Sequence, residues 1–119
     1  MTPRRWEIYQ AALDPHQGSE QGGSRPAVVI SRDSINCSLP VIAVLPVTSY
    51  KSPRRIYSTE VLIPGGMAGL PMDSLILAHQ IRTIARSRLL KLYGKIEDEA
   101  IQEKIEAAVR IFLDLEKES

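Results

Sequence analysis

The sequence contains very little cysteine: Cys37 is the only one in 119 residues. An internal disulfide is therefore impossible, and a lone cysteine fits a reducing compartment. Long apolar runs are also missing, since no stretch approaches the roughly 18 residues that a membrane helix needs. The basic pair Arg4 and Arg5 is not followed by an apolar segment, so the N-terminus does not resemble a signal peptide. We expect a cytoplasmic protein without membrane contacts.

Metal-binding and nucleotide-binding motifs are absent as well. One cysteine and two widely separated histidines, His16 and His79, do not form a zinc signature. The glycine-rich loop Gly18–Pro26 lacks the Gly-Lys-Ser/Thr ending of a phosphate-binding P-loop and precedes an apolar, strand-like run. We therefore expect no metal and no cofactor.

What the chain does contain is an ordinary globular composition, with 44% hydrophobic and 24% charged residues. A chain of this length buries roughly two-thirds of its unfolded surface, enough for one core, so residues 1–119 are expected to form one domain. The net charge of +1 is unevenly distributed. Residues 1–96 hold 12 basic and 6 acidic side chains, whereas residues 97–119 hold 3 and 8. A basic body with an acidic end segment is able to bind a polyanion.

The order of apolar runs and turn residues predicts a mainly β protein. Strands are expected at Glu7–Leu13, Ala27–Ser31, Pro40–Val47, Tyr57–Ile63, Ser74–Ala78, Gln80–Ala85 and Gly94–Ile96. The segment Arg32–Leu39 is expected to be a polar connection, and a helical turn is expected at Ser87–Leu90. Several short strands separated by turns favour a small barrel or sandwich.

From Asp98 to Leu115 the period of the apolar residues changes to that of a helix. Apolar side chains recur at Ile101, Ile105, Ala108, Val109, Phe112 and Leu115. This spacing predicts an amphipathic C-terminal helix, with Asp98 as its N-cap.

The loop Gly18–Pro26 concentrates groups that bind anions. Its one cation, Arg25, directly precedes a proline, which biases its backbone towards extended conformations. A guanidinium in this position either grips a phosphate or carboxylate, or pairs with Asp14, Glu20 or Asp73 to hold the loop. The residues alone leave both interpretations open.

A second polar loop, Thr48–Arg55, follows the predicted strand that ends at Val47. This loop and the first could face one cleft, although a threonine after Pro-Val is usually only a strand end. His16 and His79 are a possible acid–base pair, because histidine generally titrates near neutrality. The apolar surroundings of His79 favour a structural role for it.

Several motifs together resemble those of the MazF/PemK-type toxin ribonucleases of bacterial toxin–antitoxin modules. They run in the same order over nearly the whole chain, from about residue 6 to residue 113. They are Leu13–Pro15, Gly18–Gly22, Arg25–Ser31, Pro46–Ser49, Gly69–Leu70, Asp73–Ser74, Gln80–Ile84, Arg88–Leu89 and Gly94. Trp6 departs from the family, which has a small residue there, and the basic loop Lys51–Arg55 lies where members differ.

The resemblance implies an SH3-like small β-barrel with a C-terminal helix, assembled as a homodimer. It implies sequence-selective, metal-independent cleavage of single-stranded RNA that leaves a 2′,3′-cyclic phosphate and a 5′-hydroxyl. It also implies neutralisation by a cognate MazE-like antitoxin whose acidic, disordered tail covers the RNA site.

The family's catalytic arginine and threonine correspond to Arg25 and Thr48. Glu20, counted with the catalytic residues, and His16 are the candidates for the base or acid that moves the proton. Related toxins use other constellations, including an aspartate near the position of Asp73. RNA contacts are expected from exposed polar groups of the two loops and the later strands. These are His16, Ser19, Gln21, Ser49, Tyr50, Lys51, Ser74, Gln80 and Arg82. Lys51, Arg54, Arg55 and Arg86 are expected to follow the phosphates.

Two alternatives compete with this interpretation. One is a non-catalytic toxin on the same barrel, of the CcdB type, which binds and poisons DNA gyrase. The intact motifs around Arg25 and Thr48 argue against it. The other is a ribonuclease that uses His16 and His79 as a two-histidine acid–base pair.

Overall fold

The computed structural model describes residues 2–115, and within them the chain forms seven strands and two helices. The strands are β1 Glu7–Ala12, β2 Ser24–Val29, β3 Val41–Ser49, β4 Glu60–Ile63, β5 Ser74–Leu77, β6 Arg82–Ala85 and β7 Leu89–Lys95. The helices are α1 Asp33–Ser38 and α2 Glu99–Leu113. Single 3-10 turns occur at Met67–Gly69, Ala78–Gln80 and Arg86–Arg88.

The strands form one antiparallel sheet in the order β4-β5-β3-β2-β1-β7. The long strand β3 connects its parts, because its first half pairs with β6 and its last three residues pair with β5. The hydrogen-bonded path stays open between β4 and β7. The prediction of a mainly β, barrel-like fold with a C-terminal helix is confirmed, but the sheet is not a closed ring.

Strand β2 is buried on both faces, as its nearly continuous apolar run predicts. Val28 belongs to the larger apolar cluster, which lies under α2. Ala27 and Val29 point into the smaller one, together with Ile42 and Val44 of β3. β2 is therefore the central element of the fold, and the loop before it is fixed at one end by the core.

Helix α2 begins as predicted, since the Asp98 side chain accepts a hydrogen bond from the Ile101 backbone N–H at 3.1 Å. Ile101, Ile105 and Ala108 are buried against the larger cluster. The predicted stripe is too long at its end, because the helix ends at Leu113. Phe112 is 45% exposed, and Leu115 lies beyond the helix, 58% exposed.

The structure corrects several predicted boundaries. The segment Arg32–Leu39, predicted as a connection, contains α1. The predicted turn at Ser87–Leu90 is a shorter turn at Arg86–Arg88, followed by a much longer last strand, β7. Thr48 and Ser49 belong to β3 rather than to a loop. The other differences are starts and ends shifted by one to three residues.

None of the helices in residues 2–115 is long and apolar enough to cross a membrane. Residues 116–119, the end of the predicted acidic segment, lie outside the described residues, as does Met1.

Candidate active site between strands β2 and β3

The glycine-rich loop is tied to the sheet by the side-chain amide of Gln80. Its Nε2 donates to the Ser19 carbonyl at 3.2 Å, and its Oε1 accepts from the Gln21 backbone N–H at 3.3 Å. Ser19, Gln21 and Gln80, which were all predicted to contact RNA, therefore lie together. Gln80 belongs to the 3-10 turn Ala78–Gln80 rather than to a strand, and from there its amide ties the loop down.

Two arginines hold the turn before this loop. Arg82 Nη1 donates to the Leu13 carbonyl at 2.6 Å, and its Nη2 donates to the Pro15 carbonyl at 3.2 Å. Arg88 Nη1 donates to the Asp14 carbonyl at 2.5 Å. The guanidinium of Arg82, which was predicted to bind RNA, therefore donates to backbone carbonyls, and these bonds fix the position of its charge.

Arg25 is held at one end and open at the other. Its Nε donates to the Gly22 carbonyl at 3.0 Å, so the plane of the guanidinium is fixed relative to the loop. Within residues 2–115 no carboxylate forms an ion pair with it. The three acids that could have paired with it, Asp14, Glu20 and Asp73, each accept hydrogen bonds from other groups. The Nη1 and Nη2 donors of Arg25 remain available to an anion.

The strand register brings Arg25 and Thr48 to the same place. Pairing of β2 with β3 ends at Ala27 opposite Pro46. Continuing this register by two residues in each strand places Arg25 opposite Thr48 and on the same face, because side chains alternate with a period of two. β3 pairs with β5 at this point, with Thr48 opposite Leu75, so the ladder between β2 and β3 has already ended.

A groove lies against Thr48 and encloses about 150 Å³. Its lining residues are Pro26, Val47, Thr48, Ser49, Leu70, Pro71, Met72, Ser74 and Tyr93. Ser49 and Ser74 face each other across β3 and β5. Ser49 is exposed, whereas Ser74 is buried and donates its hydroxyl to the Met72 carbonyl at 2.8 Å. Ser74 therefore shapes the wall, and Ser49 is free to contact a ligand.

A second cavity, of about 180 Å³, lies on the other side of Pro46. Its lining residues are Glu20, Gln21, Pro46, His79, Gln80, Ile81 and Arg82. Since Pro46 is followed directly by Val47 and Thr48, the cavity and the groove flank the same stretch of β3. An extended ligand lying across β3 can reach both.

Glu20 lines this second cavity, but one of its carboxylate oxygens is used by its own loop. Oε1 accepts the Gln17 backbone N–H at 2.6 Å. Within the described residues no hydrogen bond joins Glu20 to Arg25 or to Thr48.

His16 forms a pair with Asp14, with 2.7 Å between Nδ1 and Oδ1. The same oxygen accepts the Gly23 backbone N–H at 2.9 Å. These bonds hold the pKa of Asp14 below its ordinary value, first through the Gly23 N–H and then through His16. Asp14 is therefore a carboxylate at neutral pH.

His79 has a different partner, since its Nδ1 lies 3.0 Å from the Thr59 hydroxyl. Within residues 2–115 the two histidines do not bond each other: His16 bonds Asp14 in its own turn, whereas His79 bonds Thr59 in the segment before β4. This arrangement gives His79 the structural contact that its apolar surroundings favour.

The loop after β3 contains two kinds of cation. Arg54 forms a bidentate pair with buried Glu60, at 2.9 and 2.7 Å, so the expectation that it follows phosphates is not supported. Lys51 is exposed. Tyr50 is fixed at its backbone, whose N–H donates to the Asp73 carbonyl at 2.9 Å, and its hydroxyl donates to the Arg54 carbonyl at 3.3 Å.

Sequence reasoning missed one wall of the groove, formed by Pro71, Met72 and Tyr93. The turn that carries it approaches β7 so closely that a Cβ on Gly69 would lie 2.1 Å from the Tyr93 carbonyl oxygen. The sequence signal for this wall was Met72, an apolar residue beside a Gly/Pro-rich turn. In the structure its side chain is 54% exposed, and apolar side chains left in solvent often mark binding surfaces.

Within residues 2–115 no three of the histidine, cysteine, aspartate and glutamate side chains gather closely enough to hold a metal ion.

Comparison with known proteins relates this geometry to a family. The chain is 39% identical over 117 residues to Endoribonuclease MazF9 of Mycobacterium tuberculosis, a match that covers 94% of this chain and 97% of the relative. The crystal structure of MazF from Deinococcus radiodurans has a TM-score of 0.80 and 25% identity, and covers 96% of this chain and 98% of its own.

A second solved structure is an endoribonuclease from a mycobacterial species in complex with its cognate antitoxin. It has a TM-score of 0.78 at 22% identity and covers 98% of this chain and 99% of its own. The model of the PemK-like, MazF-like toxins of type II toxin–antitoxin systems matches residues 4–113. The chain belongs to this PemK-like, MazF-like toxin family.

Proposed function

We propose that this protein is an endoribonuclease toxin that cleaves single-stranded RNA at the space between β2 and β3. The observation that carries the proposal is the open guanidinium fork of Arg25, fixed through Nε. Continuing the register of β2 and β3 by two residues places Thr48 opposite it. The names of the relatives support the activity. They do not favour the alternative of a gyrase-binding, CcdB-like toxin, because the curated relatives are named endoribonucleases.

The chemistry suits a site without a protein nucleophile. The 2′-hydroxyl of the RNA attacks the adjacent phosphorus, the bond to the 5′ oxygen breaks, and a 2′,3′-cyclic phosphate and a 5′-hydroxyl result. Holding the attacking oxygen in line contributes up to about 7–11 kcal/mol in oriented intramolecular reactions. A cleft that grips the sugar and phosphate from two strands is suited to this task.

Arg25 supplies the electrostatic part. Negative charge grows on the non-bridging phosphoryl oxygens, and the two free ends of a guanidinium can donate parallel hydrogen bonds to them. Loss of one such donor typically slows catalysis about 100- to 1000-fold. Thr48, on the opposite strand, donates its hydroxyl to the same phosphate or steadies the 2′-hydroxyl.

The surrounding polar residues take two kinds of role. Ser19, Gln21, Ser49, Tyr50 and Lys51 contact the unstacked bases or the backbone of the RNA, as expected for recognition of single strands. The others act from fixed positions in the walls of the two cavities. They are Ser74, Gln80 and Arg82.

The proposal extends to assembly and control. The protein is a single-domain, cytoplasmic homodimer, neutralised by a MazE-like antitoxin with an acidic, disordered tail. The antitoxin complex of the mycobacterial structural relative supports this partner. An acidic tail fits the basic body of the chain, because residues 1–96 carry twice as many basic as acidic groups.

The test is cleavage of a mixed-sequence single-stranded RNA in excess EDTA. The wild-type protein is expected to cut it, Arg25→Ala to lose about 100- to 1000-fold in rate, and Thr48→Ala to be strongly weakened. Arg32→Ala is the matched control, since Arg32 is exposed and lies beyond the other end of β2. A folded wild-type protein that leaves the RNA intact, with or without magnesium, would refute the proposal.

A further inference from the structure

The histidine of the glycine-rich loop has the geometry of a residue that moves protons. His16 Nδ1 is 2.7 Å from Asp14 Oδ1, and within residues 2–115 no hydrogen bond engages Nε2. The His16 side chain is 43% exposed, so the ring is accessible to a bound ligand. A carboxylate on one ring nitrogen fixes the tautomer and orientation of the imidazole and stabilises its protonated form.

The imidazole also lies next to the backbone that holds Arg25. A Cβ on Gly22 would fall 1.9 Å from His16 Nδ1, so the ring fills the space beside this glycine. The carbonyl of the same Gly22 accepts the Nε–H of Arg25. One residue therefore separates the imidazole from the guanidinium proposed to grip the phosphate.

The partner carboxylate is held firmly. Asp14 Oδ1 also accepts the Gly23 N–H at 2.9 Å, and its backbone carbonyl accepts from Arg88. Other charged groups around the histidine come from the sheet and the loop. They are Arg25, Arg82, Arg88 and Glu20. Asp14 thus remains an anion and keeps the ring in place.

The competing proton acceptors are less well placed. Glu20 uses Oε1 to accept the Gln17 N–H, a bond within the loop itself. His79 lines the second cavity, and its Nδ1 bonds the Thr59 hydroxyl. His16 is the histidine that contacts the Gly22–Arg25 segment.

We propose that His16 is the general base of this site and that Asp14 is its positioning residue; this rests on the proposed ribonuclease function. Nε2 accepts the proton of the 2′-hydroxyl as the 2′ oxygen bonds to phosphorus and the bond from phosphorus to the 5′ oxygen breaks. The 5′ oxygen takes a proton from water, and the imidazolium later returns its proton to solvent. Atoms and charge balance without a metal or a further reactant.

The main test is the pH dependence of single-turnover cleavage of a single-stranded RNA, measured from pH 5 to 9. A general base must be deprotonated, so the wild-type rate is expected to rise with pH to a plateau. His16→Ala is expected to lose this rising limb and about 100- to 10,000-fold in rate on the plateau, with partial rescue by added imidazole. His79→Ala, whatever its plateau rate, is expected to keep the limb.

Two further variants separate catalysis from folding. Asp14→Asn keeps an oxygen acceptor for the Gly23 N–H but removes the charge, so it should lower the rate with little change in KM. Gly22→Ala should push the ring aside, because the added Cβ would lie 1.9 Å from His16 Nδ1. The backbone should tolerate the change, because the φ of Gly22 is one that alanine can adopt. In the His16→Ala background, Gly22→Ala is expected to cost nothing more, because the ring it displaces is already gone.

A substrate with sulfur in place of the 5′ oxygen at the mapped cleavage site distinguishes a base from an acid. A thiolate leaves without protonation, so it would restore a variant that lacks the acid but not one that lacks the base. Restoration of His16→Ala by this substrate, or an unchanged rising limb in His16→Ala, would overturn the assignment of the base while leaving the ribonuclease function intact. Failure of the wild-type protein to cleave RNA would instead overturn the proposed function.

Discussion

Two arginines near the cleft show how strongly the surroundings decide what a residue does. Arg54 donates both Nη groups to Glu60, whose side chain is only 2% exposed. Arg25 donates its Nε to a backbone carbonyl and keeps the rest of its fork open. The first therefore maintains the fold at the end of the β3 loop, and the second is available to a phosphate. The sequence did not distinguish a paired guanidinium from a free one, since it left the role of Arg25 open and led us to expect phosphate contacts from Arg54.

The Arg54–Glu60 pair predicts an acid-dependent loss of stability. The pKa of Glu60 lies below its ordinary value of 4.5, mainly because Arg54 bonds it. A carboxylate with a depressed folded-state pKa stabilises the fold above its unfolded pKa, and this contribution is lost as the pH falls through the folded value. Glu60→Gln is expected to lower the free energy of unfolding at pH 7 by about 1–3 kcal/mol. The difference from wild type should be smaller at pH 3 than at pH 7, measured by urea unfolding at constant protein concentration.

The matched control is Glu103→Gln, which removes an exposed carboxylate from α2. The urea unfolding curve of Glu103→Gln should follow that of the wild type at both pH values. If Glu60→Gln lowers the free energy of unfolding by the same amount at pH 3 as at pH 7, the side chain acts through its shape rather than its charge.

At the scale of elements, the N-cap of α2 gives a quantitative expectation. The Asp98 side chain satisfies the Ile101 N–H, one of the four backbone donors that have no partner within a helix. Asp98→Ala is expected to lower the free energy of unfolding by about 0.5–2 kcal/mol, and Asp98→Ser to restore most of it, because serine also caps. Urea unfolding measures both. Equal losses in the two variants would show that the carboxylate charge, and not the cap bond, stabilises the helix.

The elements that the sequence predicted well are those with a strong local signal. The apolar period of α2, with Asp98 before it, and the continuous apolar run of β2 each point to one structure. Helix α1 was missed because its six residues, Asp33–Ser38, are polar apart from Ile35 and Cys37. Strand β7 was predicted too short because Leu90 and Leu92 are exposed, so its pattern lacks a buried face.

At the scale of the molecule, the site depends on contacts between residues far apart in the chain. Arg25 and Thr48 were assigned through family resemblance, and continuing the register of β2 and β3 by two residues places them opposite each other. The bonds from Gln80 to the loop join residues about 60 positions apart, and those of Arg82 nearly 70. No local pattern specifies such pairings, since they follow from the order of the strands.

The uneven charge of the whole chain predicts where RNA runs over the surface. Basic groups prevail up to residue 96, whereas α2 and the residues around it are acidic. A side chain that contacts a phosphate releases counterions, so its loss should reduce the slope of log K against log salt by about 0.7 for a single strand. Lys51→Ala, in the exposed loop beside the groove, is expected to show this reduction with a 2′-O-methyl RNA, which has no 2′-hydroxyl to attack. Lys104→Ala makes the same charge change on α2 and should leave the slope unaltered. Equal reductions in both variants would mean that the RNA is attracted by total charge and not held along the β2–β3 cleft.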